Sequence, residues 1–140
     1  MRICADTWFL LELSNDENYS VKLLEEIEKG VHELFIPALA LSEFFTILYQ
    51  KGVPSLTESI FAQIMVSRNI RIVPIDEALC IRIAKIKHSF GISISDASML
   101  ASYKITNSDV FLAKDSDFLA AIKQGYVKIS TARELLRGRS

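Results

Sequence analysis

The chain is poor in sulfur and imidazole, with two cysteines and two histidines in 140 residues. Cys4 and Cys80 share no Cys-x-x-Cys spacing, and neither His32 nor His88 stands at ligand spacing to them. A disulfide framework and a structural zinc site are therefore not expected, and both thiols read as small buried hydrophobes. Long apolar runs are missing too. Nothing approaches the ~18 residues that suggest a membrane-spanning helix. The apolar start is broken at Asp6 and carries no cleavage signature, so a soluble, cytoplasmic protein with no membrane partner is expected. Glycine (5) and proline (3) are few and scattered, and no linker, repeat or low-complexity stretch is read. Nor is one charge in excess: 16 basic residues face 17 acidic ones, for a net charge of −1. That balance does not advertise a nucleic-acid binder, although acids committed to a cation would leave the remainder modestly basic.

What is present is core material. Half the residues are hydrophobic and 24% are charged, which suits one compact domain with a sizeable interior. Strand and helix signals alternate along it. Arg2–Ala5, Leu34–Pro37, Ile70–Val73 and Val110–Ala113 read as short buried strands, and Tyr126–Ile129 as an edge strand. Helices are expected over Thr7–Leu13, Tyr19–Lys29 behind a capping box at Ser14–Glu17, and Ala38–Gln50. Further ones run from Ser55 to about Arg68, from a cap at Asp76 to about His88, and over Ser93–Ile105, Asp117–Lys123 and Thr131–Leu136. Continuous apolar strands alternating with helices imply a parallel sheet covered on both faces. The expected fold is α/β: a single three-layer domain over residues 1–140, with a central, mostly parallel sheet of four to five short strands flanked by helices.

Most acids have plain places on solvated helix faces, but five do not. Asp6 follows the first strand, where open parallel sheets bind ligands; the plainer reading is a helix N-cap. Glu43 sits among Leu39, Ala40, Phe44, Phe45 and Ile47 with no basic residue before Lys51, so desolvation is expected to raise the cost of its charge; the plainer reading is a solvated gap between apolar faces. Asp96 opens a helix whose face continues as Met99, Leu100 and Tyr103, and Ser93 could pair with it as a cap. Asp115 and Asp117 follow the fourth strand, where a turn would also explain them. Three or four carboxylates gathered at one sheet edge would repel by about 4 kcal/mol per close pair at an effective dielectric near 20. They would hold their charge only around a cation. Oxygen donors without thiolate or imidazole suit Mg²⁺ or Mn²⁺.

At these residues the chain resembles the PIN-domain family, and within it the VapC-like toxins of bacteria and archaea. Ile3-Cys-Ala-Asp6-Thr7 is similar to the family's opening strand with its Asp, and Ile36-Pro-Ala-Leu-Ala-Leu-Ser-Glu43 to its strand followed by a helix carrying Glu. Gly91-Ile-Ser-Ile-Ser-Asp96-Ala97 is similar to its Asp-Ala helix start, and Val110-Phe-Leu-Ala-Lys-Asp115-Ser-Asp117-Phe118 to its last strand and Asp. The departures are Ala113 where the family usually has Thr or Ser, the bulky Trp8, and Tyr103-Lys104 late in the Asp96 helix.

The resemblance implies a metal-dependent endoribonuclease, with Asp6 and Asp96 on the ion and Glu43, Asp115 and, last, Asp117 completing the site. Thr7 and Ser42 are candidate supporting hydroxyls, and Lys104, Lys114 and the basic stretch Arg133–Arg139 candidate RNA contacts. RNA, an antitoxin protein and a second copy of the chain are the implied partners. The alternatives are a housekeeping RNA-processing nuclease, a metal-dependent phosphatase or phosphoacceptor domain, and a catalytically silent binding module. The phosphatase pattern wants a second Asp two residues after the first, and Asp6-Thr7-Trp8 lacks it.

Overall fold

A computed structural model of the chain describes residues 1–137, the side chain of Asp115 excepted. Its centre is a five-stranded sheet of β1 (Arg2–Ala5), β2 (Glu33–Pro37), β3 (Ile70–Val73), β4 (Val110–Leu112) and β5 (Ile129–Ser130). Their spatial order is β3-β2-β1-β4-β5, and every neighbouring pair is parallel. Parallel neighbours need crossovers, and helices supply them. α1 (Thr7–Ser14) and α2 (Asn18–Glu28) join β1 to β2, and α3 (Ala38–Gln50) and α4 (Ser55–Val66) join β2 to β3. α5 (Glu77–Phe90) and α6 (Ile94–Ile105) lead to β4. A 3₁₀ turn (Asp115–Asp117) and α7 (Leu119–Lys123) lead to β5, and α8 (Ala132–Arg137) follows.

Because helices cover both faces, the central strands have no polar side. Ile3, Cys4 and Ala5 of β1 are fully buried, as are Val110, Phe111 and Leu112 of β4. β1 is held in register from both sides, with Cys4 opposite Phe35 of β2 and Phe111 of β4. β3, at the edge, leaves Arg71 exposed. The expected α/β fold is thus present, with a sheet that is parallel throughout.

Several local expectations are corrected. Ser14 does not open a capping box, since its hydroxyl donates to Leu11 O at the end of α1. The turn at Asp16 (φ +54) puts Glu17 itself at the N-cap of α2, where its carboxylate accepts from Ser20 N. Cys80 is exposed on α5, and only Cys4 is a buried thiol; both are free. β5 begins at Ile129, later than expected. Gly125 turns the chain at φ +69 and Tyr126 packs edge-on against Phe90, so bonding to β4 starts only where Phe111 N donates to Lys128 O. α4 stops at Val66, and α5 runs on to Phe90 before Gly91 ends it in the left-handed region (φ +63), the usual way for glycine to close a helix.

Candidate functional site

The strand order reverses direction between β1 and β4. In open parallel sheets that switch point leaves a crevice beyond the carboxyl ends of the strands. Asp6 stands there, one residue past β1, and its N–H donates to Leu112 O at 3.1 Å, tying it to the last residue of β4. The turn Asp115–Asp117 begins two residues beyond β4, after Ala113 and Lys114. β2 passes into α3 without a loop and so delivers Glu43 in its second turn, while Ser93 caps α6 by accepting from Asp96 N at 3.0 Å.

Hydroxyl groups join these elements. Thr7 Oγ1 donates to Glu43 Oε2 at 2.7 Å, and Ser95 Oγ donates to Glu43 Oε1 at 2.6 Å. Thr7 is the neighbour of Asp6 in the chain and Ser95 the neighbour of Asp96. One carboxylate on α3 is therefore clasped between the residues flanking two others, on α1 and α6. Asp6 and Asp96, ninety positions apart in sequence, lie on one side of the molecule.

Asp6 is the buried member. Its side chain caps α1, accepting from Trp8 N at 2.8 Å. Burial nevertheless pushes its carboxyl up to about 7; the Trp8 and Phe9 N–H groups pull it down, and the Asp117 and Glu43 charges push it further up. Asp96 is raised above the ordinary carboxylate range for the same leading reason, burial. The Ser93 hydroxyl opposes that shift, and Asp117 and Glu43 again add to it. Both aspartates thus feel the same two carboxylates, as a shared anionic pocket requires. The salt bridges among the described residues, Arg2–Glu33 and His32–Glu26, include none of these four acids.

The donors at this site are carboxylate and hydroxyl oxygens, which fit a hard divalent cation rather than zinc or copper. A buried carboxylate held near neutrality, with anions for neighbours and no ion-pair partner among the described residues, is the electrostatic setting that such a cation relieves. Among the described residues no three carboxylate, imidazole or thiolate side chains already form a metal-holding group. The Asp115 side chain, an expected ligand, lies outside the described residues.

Other expected residues fall out differently. Glu43 is exposed, not desolvated, because Ala40, Leu41, Phe44 and Leu48 turn the core face of α3 away from it. Asp117 does not cap the following helix; it ends the 3₁₀ turn with its side chain exposed, and Phe118 is the N-cap of α7. Ser42 donates to Ala38 O within its own helix, so its hydroxyl is taken up there. Lys104 is eight residues along α6 from Asp96, roughly 12 Å by helix rise, and its ammonium lies 4.0 Å from the Tyr126 ring centroid. Lys114 is exposed, its ammonium 5.9 Å from the Trp8 ring. Ser95 went unnoticed in the sequence. Its one visible signal is a hydroxyl immediately before Asp96.

A PIN domain model matches residues 3–123. The chain belongs to the PIN domain family. No curated protein matches it. Among solved structures, this PIN domain is similar to VapBC2 from Rickettsia felis bound to a promoter DNA fragment, at TM-score 0.71 and 10% identity over 94% of this chain and 98% of that one. It is also similar to a toxin–antitoxin complex from Klebsiella pneumoniae, at TM-score 0.67 and 16% identity over 93% and 97%. A third likeness is to VapBC-1 from nontypeable Haemophilus influenzae, at TM-score 0.63 and 13% identity over 95% and 99%. Identities this low establish a shared fold. No helix of the described PIN domain is long and apolar enough to cross a membrane.

Proposed function

We propose that the chain is a metal-dependent endoribonuclease that hydrolyses RNA phosphodiester bonds, and that it is the toxin of a toxin–antitoxin pair. The observation that carries the catalytic half is the Thr7–Glu43–Ser95 clasp, which draws Asp6 and Asp96 together at the carboxyl edge of the sheet. Membership of the PIN family supports a nuclease over the phosphoacceptor alternative. The toxin half rests on the similar folds found in toxin–antitoxin complexes.

Asp6 and Asp96 would hold Mg²⁺ or Mn²⁺, with Glu43, Asp115 and Asp117 completing or orienting the site. When bound, the ion supplies positive charge opposite the phosphate oxygens and makes the attacking water more acidic. The protein supplies position. Thr7 and Ser95 each fix one oxygen of Glu43, and the Trp8 N–H fixes Asp6. Side chains locked in this way hold a site within the small tolerance that catalysis demands.

The 140 residues would form a single PIN-like domain acting in the cytoplasm. An apolar cleft of about 250 Å³ between α1, α2 and α4, lined by Leu13, Leu24, Ile60 and Ile64 among others, suits an amphipathic antitoxin helix. Exposed Tyr49, Leu56, Phe61, Met65 and Val66 on α3 and α4 provide apolar surface for a homodimer.

Asp96→Asn tests the catalytic reading. With Mg²⁺ or Mn²⁺ present, the wild-type protein is expected to cut RNA, and the variant to cut at least about 100-fold more slowly while melting no lower. Cleavage by Asp96→Asn at the wild-type rate would sink the proposal.

A further inference from the structure

Trp8 is the chain's single tryptophan, and neither the core nor the carboxylate site accounts for its ring. Its backbone N–H is on Asp6, but the indole is only half-buried and forms a wall of two shallow clefts. The first, about 300 Å³, is completed by Ala113, Lys114, Ile129, Ser130, Thr131 and Glu134. It opens at the carboxyl ends of β4 and β5, the same edge that carries Asp6. The second, about 230 Å³, runs past Tyr19, Thr131 and Arg133 but also holds Glu12 and Glu17.

Cations interleave with these rings. The Lys114 ammonium lies 5.9 Å from the indole centroid, and the Arg133 guanidinium 5.5 Å from that of Tyr19. A half-exposed indole with an exposed lysine over it can hold single-stranded nucleic acid, the flexible lysine swinging to a phosphate while the base stacks on the ring. Ala113, itself buried, contributes to the lining of the first cleft. The first cleft, with the single carboxylate of Glu134, suits a nucleotide better than the second, where Glu12 and Glu17 would both repel its phosphate.

We propose that Trp8, with Lys114 and the small Ala113, forms a stacking subsite that receives one unpaired base of an RNA strand beside the Asp6–Asp96 site. This inference deepens the ribonuclease reading and rests on it. A duplex cannot use such a subsite, because its bases are already stacked on one another.

The lone indole is its own reporter. Asp96→Asn protein with Mg²⁺ is titrated with a mixed-sequence single-stranded RNA octamer while tryptophan emission is followed. Saturable quenching is expected, with little quenching by the same octamer in a duplex. In a Trp8→Ala background, binding followed with a dye-labelled octamer should weaken roughly 5- to 100-fold. Trp8→Phe should retain most of the affinity, and both variants should melt near the parent because the ring is half-exposed. In the active protein, Trp8→Ala should raise KM far more than it lowers kcat. Binding without quenching, equal quenching by duplex, or unchanged affinity in Trp8→Ala overturns the subsite, and cleavage by the wild-type protein then leaves the ribonuclease reading standing. If the wild-type protein cuts no RNA with either metal, the ribonuclease reading falls, and the subsite's role falls with it.

Discussion

Replacing Asp6 with asparagine should stabilise the ion-free protein at alkaline pH. The substitution keeps the shape of the side chain and an oxygen for the Trp8 N–H, and removes only the ionisable group. In the folded chain burial holds the Asp6 carboxyl at about 7, against an ordinary value of 3.8. Between those values the folded state keeps a proton that the unfolded state has lost, so stability falls as pH rises. The protonated form's contribution is complete below 3.8 and lost as pH passes through about 7. At about 1.4 kcal/mol per pH unit, a difference of about three units sets an upper bound near 4 kcal/mol; relaxation and water entry reduce this to about 2. For a chain of this length that corresponds to a rise in melting temperature of roughly 5–10 °C. The assay is thermal unfolding of both proteins in EDTA at about pH 5 and about pH 8.5, where the gap should be small and large respectively. Adding Mn²⁺ should narrow or reverse the alkaline gap, because only the wild-type site gains the full energy of ligation. If Asp6→Asn is the less stable protein in EDTA at alkaline pH, or the gap ignores pH, the burial argument is wrong.

Two further outcomes follow from other contacts. Ser95→Ala and Thr7→Ala each release one oxygen of Glu43, and each should lower the cleavage rate about 10- to 100-fold with the melting temperature little changed; rates equal to wild type would show that the clasp positions nothing. Of the two free thiols, Cys80 should react promptly with an aromatic disulfide reagent. Cys4 should react only on unfolding, because burial and the Asp6 charge drive its pKa up; two fast thiols in the native protein would contradict the packing of β1.

Much of the fold was legible because its signals are local. The apolar runs at Arg2–Ala5 and Val110–Ala113 read as strands covered on both faces, and β1 and β4 lie there, β4 one residue shorter; α5 was placed by its Asp76 cap, although it runs past His88 to Phe90. β5 was misplaced because its start is set by Tyr126 packing on Phe90, a contact between distant segments. The capping box at Ser14 failed because Asp16 adopts a left-handed turn, and four letters of sequence do not reveal a backbone angle.

The site divides along the same line. Sequence determined which carboxylates exist, where they stand relative to strand ends and helix starts, and that no sulfur or imidazole chemistry competes with them. Those properties follow from residue identity and short-range periodicity. Only the tertiary structure decided that Asp6 is the buried acid and Glu43 the exposed one, and that Ser95 rather than Ser42 donates to Glu43. It also decided that Lys104 lies at the far end of its helix while Lys114 sits beside Trp8. Burial and proximity are properties of the packed chain, summed over neighbours that the linear order keeps apart. A helix's apolar composition does not by itself say which way each residue will face.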